Sequence, residues 1–360
     1  MIPVYFNGKF YAGGLNGVHR VSDRLIREVD TLLANMPVAE RPVVRLLLPR
    51  KRQFEPQLRA IEAIEQAEGH SQKWEQMILP RVAADGLLVN LANLAPIRHR
   101  RKILLLHDAQ FLFPDSSYPW RQRLGYRLLT PRMARSSRVV LTVSDYSRQM
   151  LDLLGVAPRG LTQLLYNGSD HIHEVPADTG VLDELGLAGT PYVLMFGSPK
   201  AYKNVDVVFV AFAGKQLAPL RLVVVGGGKA AHEQAGLVPP DDVIWAGGVN
   251  DARLRALYEG AHALAFPSRT EGFGLPPLEA MRCDCPAVVS PAGAIPEVCR
   301  DAALYADVDD PASWRTALRQ LDDPDLRAAK IAAGRERAHG FTWSIAGGRL
   351  LDVLMEHAAY

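Results

Sequence analysis

Short apolar runs recur along the chain, and amphipathic stretches separate them. In the first half they lie at 1–8, 43–48, 87–90, 103–106 and 139–143. In the second half they are Tyr192–Phe196, 222–225, 243–247 and Ala263–Phe266. Runs this short and this continuously apolar suit strands of a parallel sheet covered on both faces. Between them, Val18, Val21, Leu25 and Val29 recur at helical spacing, as do Leu254, Leu257 and Tyr258. Helices are also expected over 58–67, 314–321 and 326–338, and from 343 to about 355. Strand–helix alternation predicts an α/β architecture. A chain of 360 residues exceeds one core. The pattern divides into a domain at 1–170, a linker at 171–189 and a second domain at 190–340. A last segment, 341–360, holds the terminal helix.

Charge adds little globally. The net charge of +2 argues against a nucleic-acid partner. No long apolar run predicts a membrane span, and the N-terminus lacks the features of a secretion signal. A cytoplasmic protein is the simplest expectation. Cys283, Cys285 and Cys299 are too few for a disulfide framework or a four-ligand zinc site, and no metal is expected. Locally the balance differs. Between Arg98 and Arg138 ten basic residues face only Asp108 and Asp115, interleaved with Phe111, Phe113, Tyr118, Trp120 and Tyr126. Such a segment is either a solvated basic face or a surface for anionic headgroups or a lipid-linked diphosphate.

The richest stretch follows the run Ala263–Phe266. It reads Ser268-Arg269-Thr270-Glu271-Gly272-Phe273-Gly274-Leu275-Pro276-Pro277-Leu278-Glu279. Gly272 and Gly274 permit a tight turn, and the prolines suit a first helical turn. That reading places Glu279 in the first turn, beside a helix N-terminus suited to an anion such as a diphosphate. Glu271 and Glu279 suit sugar and ribose hydroxyls, which donate to acceptor-only groups. By spacing alone, two solvated acids fit equally well.

The whole string resembles the E-x7-E signature of retaining GT-B glycosyltransferases of the GT4 family. Four other stretches strengthen the resemblance. Gly13-Gly14-Leu15-Asn16-Gly17 is similar to the family's first loop, whose glycines face the donor diphosphate and the acceptor. His107-Asp108 looks like its "HD" loop, whose His lies near the donor sugar. Asn167-Gly168-Ser169-Asp170 resembles its "NGVD" landmark, with Ser169 in place of Val. Gly197-Ser198-Pro199-Lys200-Ala201-Tyr202-Lys203-Asn204 resembles its diphosphate loop, with Tyr202 where Arg is common.

The resemblance implies a GT-B fold: two doubly wound Rossmann-like parallel-sheet domains facing across a cleft, the first on the acceptor side. A C-terminal helix is expected to cross back to the first domain. It implies retaining transfer of a sugar from a nucleotide diphosphate sugar to a glycan or lipid-linked acceptor, in polysaccharide or glycoconjugate biosynthesis. GDP-mannose is the first expectation, with dTDP-rhamnose and UDP-sugars behind. His107, Glu271 and Lys203 would be catalytic. Gly14, Gly17, Lys203, Asn204, Gly272, Phe273, Gly274, Leu275 and Glu279 would bind the donor. No cofactor and no obligatory metal are implied, and the chain offers no clear D-x-D of the kind GT-A enzymes use. Weak association with the inner face of the membrane would bring the enzyme to a lipid-linked acceptor. A sugar-nucleotide epimerase or hydrolase shares the architecture, and a non-catalytic binding subunit would keep it. An oxidoreductase rests on the weak turn at Gly226 and Gly228.

Overall fold

A computed structural model describes residues 1–14, 16–113 and 119–359. Leu15 of the glycine-rich turn, and Pro114, Asp115 and Tyr118 of the two segments named above, lie outside the described residues. The chain forms two compact units. One comprises the described parts of 1–113, 119–168 and 343–359, and the other is 169–342.

In the first unit, β1 (Val4–Asn7) leads into α1 (Gly17–Ala34), then β2 (Val44–Pro49) and β3 (Glu62–Gln66). After a π-helical turn at Trp74–Ile78 come α2 (Leu79–Val82), β4 (Leu87–Asn90), β5 (Lys102–Leu106) and α3 (Trp120–Arg135). The unit continues with β6 (Val139–Thr142), α4 (Asp145–Leu153) and β7 (Thr162–Leu164). The described strands form one parallel sheet in the order β3-β2-β1-β4-β5-β6-β7. Asn16 caps α1 through its side chain, 3.0 Å from the His19 amide. Val21, Leu25, Val29 and Leu33 line the buried face of that helix.

The C-terminal helix, Trp343–Ala358, belongs to this unit and packs on α1. Gly347 permits the approach, because a Cβ there would stand 2.4 Å from the Glu28 Cβ. Its last turn is tied down as well. The Ile2 amide donates to Ala358 O at 2.9 Å, and Arg138 donates to His357 O at 2.8 Å.

The expected helix at 58–67 does not form. The buried Asp30 carboxylate takes the amides of Arg59, Ala60 and Ile61 at 2.8–3.1 Å. Residues Glu62–Gln66 then pair with β2, Arg45 opposite Glu62. This is a sheet-edge strand with exposed side chains, so its sequence carries no apolar alternation.

The second unit runs α5 (Gly180–Glu184), β8 (Tyr192–Phe196), α6 (Val205–Phe212), β9 (Arg221–Val225), α7 (Lys229–Gln234) and β10 (Ile244–Gly247). There follow α8 (Asp251–Gly260), β11 (Ala263–Phe266), α9 (Leu275–Arg282), β12 (Ala287–Val289), α10 (Ile295–Cys299), β13 (Leu304–Tyr305), α11 (Pro311–Gln320) and α12 (Pro324–His339). Its parallel sheet is ordered β10-β9-β8-β11-β12-β13. Residues 171–189, expected as a linker, are part of this unit. A 3-10 turn at Asp170–His173 and α5 pack on α8, and the Asp178 amide donates to Ala252 O at 3.0 Å. The three cysteines are buried in this unit, as small apolar residues would be.

Ser169, the departure from the family landmark, has a physical account. It is fully buried, and its hydroxyl accepts from Arg282 Nε at 2.8 Å. Arg282 also donates to Ala338 O and Phe341 O, so one guanidinium ties the start of the unit to its end.

Candidate active site

In an open parallel sheet, ligands bind beyond the carboxyl ends of the strands where the strand order reverses. In the second unit that point lies between β8 and β11. The two loops leaving these strands are 197–204 and 267–274, the two stretches singled out in the sequence.

They meet at one ion pair. Lys203 Nζ lies 2.6 Å from Glu271 Oε1, and the same oxygen accepts from Ser268 Oγ at 2.7 Å. The ammonium also stands over the rings of Tyr202 and Phe266, 5.1 and 5.4 Å from their centroids. Arg269 N donates to Tyr202 O at 2.7 Å, which holds the two loops together through backbone. Gly293 (φ 62°) closes over Glu271, since a Cβ there would sit 2.5 Å from the Glu271 amide nitrogen. The Ala294 amide donates to Glu271 O at 3.0 Å. A carboxylate and an ammonium are thus fixed side by side, partly exposed, at the switch point.

The turn itself requires glycine at 274. Its φ is 101°, and a Cβ would stand 2.5 Å from Ile295 Cδ1. Phe273 is buried edge-on against Phe341, with ring centroids 5.7 Å apart. Helix α9 starts at Leu275, with prolines at the next two positions. Of its first four residues only Leu275 and Leu278 carry an N–H. The helix end therefore offers fewer amide donors than an ordinary N-terminus.

Glu279 departs from expectation. It is the fifth residue of α9, beyond the first turn, and only 6% exposed. Tyr258 OH donates to its Oε2 at 3.0 Å, and His171 Nε2 lies 3.0 Å from its Oε1. Both partners are buried, from α8 and from the Asp170–His173 turn. Burial, and then the Glu279 charge, push the Tyr258 phenol well above its ordinary pKa. Tyr258 therefore stays protonated and donates.

Asn204, the last residue of the 197–204 loop, ties it to the loop that follows β11. It adopts a left-handed conformation (φ 53°) and is 2% exposed. Its Nδ2 donates to Pro267 O at 3.2 Å and to Val308 O at 2.7 Å. Its amide protons are spent on the base of the loops, so it positions Lys203 from below. Gly197 after β8 and Gly227 after β9 serve packing. A Cβ on Gly197 would stand 2.2 Å from Val224 Cγ1, and one on Gly227 2.9 Å from Gly197 O. Helix α7, which follows, has only six residues.

Two aspartate pairs do have D-x-D spacing, 307/309 and 323/325. Asp309 pairs with Arg269 at 2.6 Å, Asp307 accepts the Asp309 amide at 2.9 Å, and Asp323 caps α12. Among the described residues no group of three His, Cys, Asp or Glu is arranged to hold a metal ion.

In the first unit the order reverses between β1 and β4. A cavity of about 370 Å³ lies beyond their ends, lined in part by Asn7, Lys9, Gly13, His19, His70 and Glu75. Lys9 pairs with the buried Glu75 at 2.7 Å. Gly14 is exposed at the turn, where its carbonyl meets His19 Nδ1 at 2.9 Å, and Gly17 opens α1. His107 follows β5, one strand beyond the reversal, and is 7% exposed. Its Nε2 lies 2.9 Å from Leu91 O. A carbonyl only accepts, so Nε2 carries the proton and Nδ1 is the acceptor. Burial lowers the His107 pKa to about 4, against a small opposing effect of the Leu91 carbonyl. The imidazole is neutral near pH 7.

The family described as Glycosyl transferases group 1 matches residues 183–337. The O-antigen chain mannosyltransferase B of Escherichia coli is 33% identical over 271 residues, covering 69% of this chain and 68% of that protein. The chain belongs to the group 1 glycosyltransferases. The O-antigen chain mannosyltransferase RfbU of Salmonella typhimurium is 28% identical over 236 residues, 63% of this chain and 62% of that protein. The chain thus spans about two thirds of the length of each of these relatives. A sucrose-phosphate synthase from Thermosynechococcus elongatus shares the fold, with a TM-score of 0.74, 18% identity and 98% of each chain covered. The fold is GT-B.

Three residues of this candidate site were not singled out in the sequence. Ser268 stands three positions before Glu271, the spacing of a local side-chain contact, and could have been found. Tyr258 reads as one more apolar position of a helix. His171 reads as half of an incomplete metal pair with His173. Their roles arise from contacts across 21 and 108 positions of sequence, counting to Glu279.

Proposed function

We propose that the protein is a retaining, metal-independent mannosyltransferase. It would use GDP-mannose as donor and a hydroxyl of a glycan or lipid-linked glycan as acceptor, in polysaccharide or glycoconjugate biosynthesis. The observation that carries this is the Lys203–Glu271 pair at the β8/β11 switch point. The mannosyl unit is taken from the names of the two relatives described above.

In this reading the bond from the anomeric carbon to the diphosphate oxygen breaks, and its electron pair leaves with the diphosphate. Lys203 stabilises the charge that develops there. The acceptor oxygen bonds to the anomeric carbon, and its proton passes to the departing phosphate oxygen. Glu271 accepts hydrogen bonds from donor-sugar hydroxyls. Glu279, held by Tyr258, takes the ribose hydroxyls. His107 is neutral with Nε2–H spent on Leu91 O, so it offers Nδ1 as an acceptor to a hydroxyl. The amides around Gly272–Leu275 orient sugar and phosphate, and Gly14 and Gly17 leave room for backbone to approach the donor.

The test is product analysis with GDP-mannose, dTDP-rhamnose and UDP-glucose, each with a polyprenyl-linked glycan acceptor, in EDTA. Transfer from GDP-mannose with an α product is expected. Nucleotide release that needs no acceptor would instead favour a hydrolase or epimerase. Transfer from another donor alone would replace mannose.

A further inference from the structure

The helix α3 leaves an apolar stripe uncovered. Trp120, Leu124 and Leu128 follow one another at four-residue spacing, so they share a face. Their exposures are 71%, 50% and 51%. The opposite face carries the buried Thr130, Met133 and Ala134, which hold the helix on the unit. The stripe is therefore not a frayed part of the core.

Arginines border it. At 3.6 residues per turn, Arg121 and Arg132 fall on one side of the stripe, Arg127 on the other, and Arg135 at its end. All four are exposed, and none pairs with a carboxylate among the described residues. Arg121 stacks on Trp120, 5.3 Å from the ring centroid. Residues 119–138 contain no Asp or Glu. Arg123, expected to share this surface, is only half-exposed and lies away from the stripe.

We propose that α3 is a membrane-docking helix that lies in the interface of a bilayer containing anionic lipid. The apolar centre would enter the headgroup region while the flanking guanidiniums meet lipid phosphates. An aqueous protein partner would not need a helix with arginine on both borders and no acid. An interfacial helix has this pattern. Among the described residues no helix is long and apolar enough to cross a membrane, so the contact is peripheral. It goes beyond charge attraction, because the leucines should retain part of the binding when salt screens the arginines.

The test uses the full chain without donor or acceptor, so it is independent of the catalytic reading. Co-sedimentation is measured with phosphatidylglycerol–phosphatidylcholine vesicles and with phosphatidylcholine alone, at low and high salt. Binding to the anionic vesicles is expected, reduced but not abolished by salt. Leu124→Gln with Leu128→Gln, and separately Arg121→Gln with Arg127→Gln, should each lower the partition coefficient about tenfold. Because these side chains are exposed, both variants should keep the native circular dichroism. The emission of Trp120 should shift to the blue on vesicles, and Trp120→Phe should remove that shift. Recovery in the supernatant under all conditions would overturn the proposal. So would a dimer in solution that the leucine variant dissociates, with no vesicle binding, since the stripe would then belong to a second copy.

Discussion

Lys203 is not an idle cation. Its ammonium lies 2.6 Å from Glu271, so any diphosphate that reaches it must compete with a carboxylate already in place. This predicts opposite effects for the two partners. Lys203→Ala should lower kcat about a hundredfold or more, because its charge counts most as the diphosphate departs. Glu271→Gln frees the ammonium. Nucleoside diphosphate affinity should then rise, while sugar transfer falls. Calorimetry with GDP beside steady-state rates separates the two quantities. Equal losses of GDP affinity in both variants would show that the pair acts as one structural unit.

Glu279 should act through its fixed geometry. Glu279→Ala is expected to weaken GDP binding by about 1–3 kcal/mol, the scale of lost charged hydrogen bonds. Tyr258→Phe removes one bond to Oε2 and should cost less, about 1 kcal/mol. The Tyr258 variant should raise KM for the donor more than it lowers kcat. An unchanged GDP affinity in a folded Glu279→Ala protein would remove the ribose role.

Turnover should survive EDTA, since in the proposed mechanism Lys203 supplies the positive charge for the departing diphosphate. The aspartates at D-x-D spacing are engaged in ion pairing and capping. Activity lost in EDTA and restored by manganese would contradict this.

Acid should destabilise the fold in a defined window. Burial lowers the His107 pKa from 6.5 to about 4. Between these values the unfolded chain binds a proton that the folded chain does not, so stability falls as pH falls from 6.5 towards 4. The contribution is roughly 3 kcal/mol. His99, His173 and His262 are lowered in the same direction by burial. Urea denaturation across that range should show the loss, and His107→Gln should flatten part of it. Equal pH slopes in wild type and variant would place the effect elsewhere.

Much of this was legible along the chain. The strands β5 and β11 are buried throughout, so their apolar runs announce them. The loop after β11 declared its glycines and acids. The edge strand β3 did not, because its side chains face outward and its start is set by Asp30, about thirty positions away. The register of α9 was misjudged because two prolines suggested the first turn, whereas Leu275 precedes them. Asn204 enters the expected donor set because 197–204 resembles the family's diphosphate loop. Only the fold shows that its amide serves Pro267 and Val308.

The C-terminal helix has a consequence for how the protein is made. Residues 343–358 complete the first unit, yet they are translated after the whole of the second. The growing chain must hold α1 with its Glu28 side uncovered while 169–342 emerges and folds. A chain ended at Thr342 should therefore yield a folded second unit attached to an aggregation-prone first one, readable as selective proteolysis of residues before 169. Synthesis along this chain therefore finishes the unit begun first only after the unit begun second.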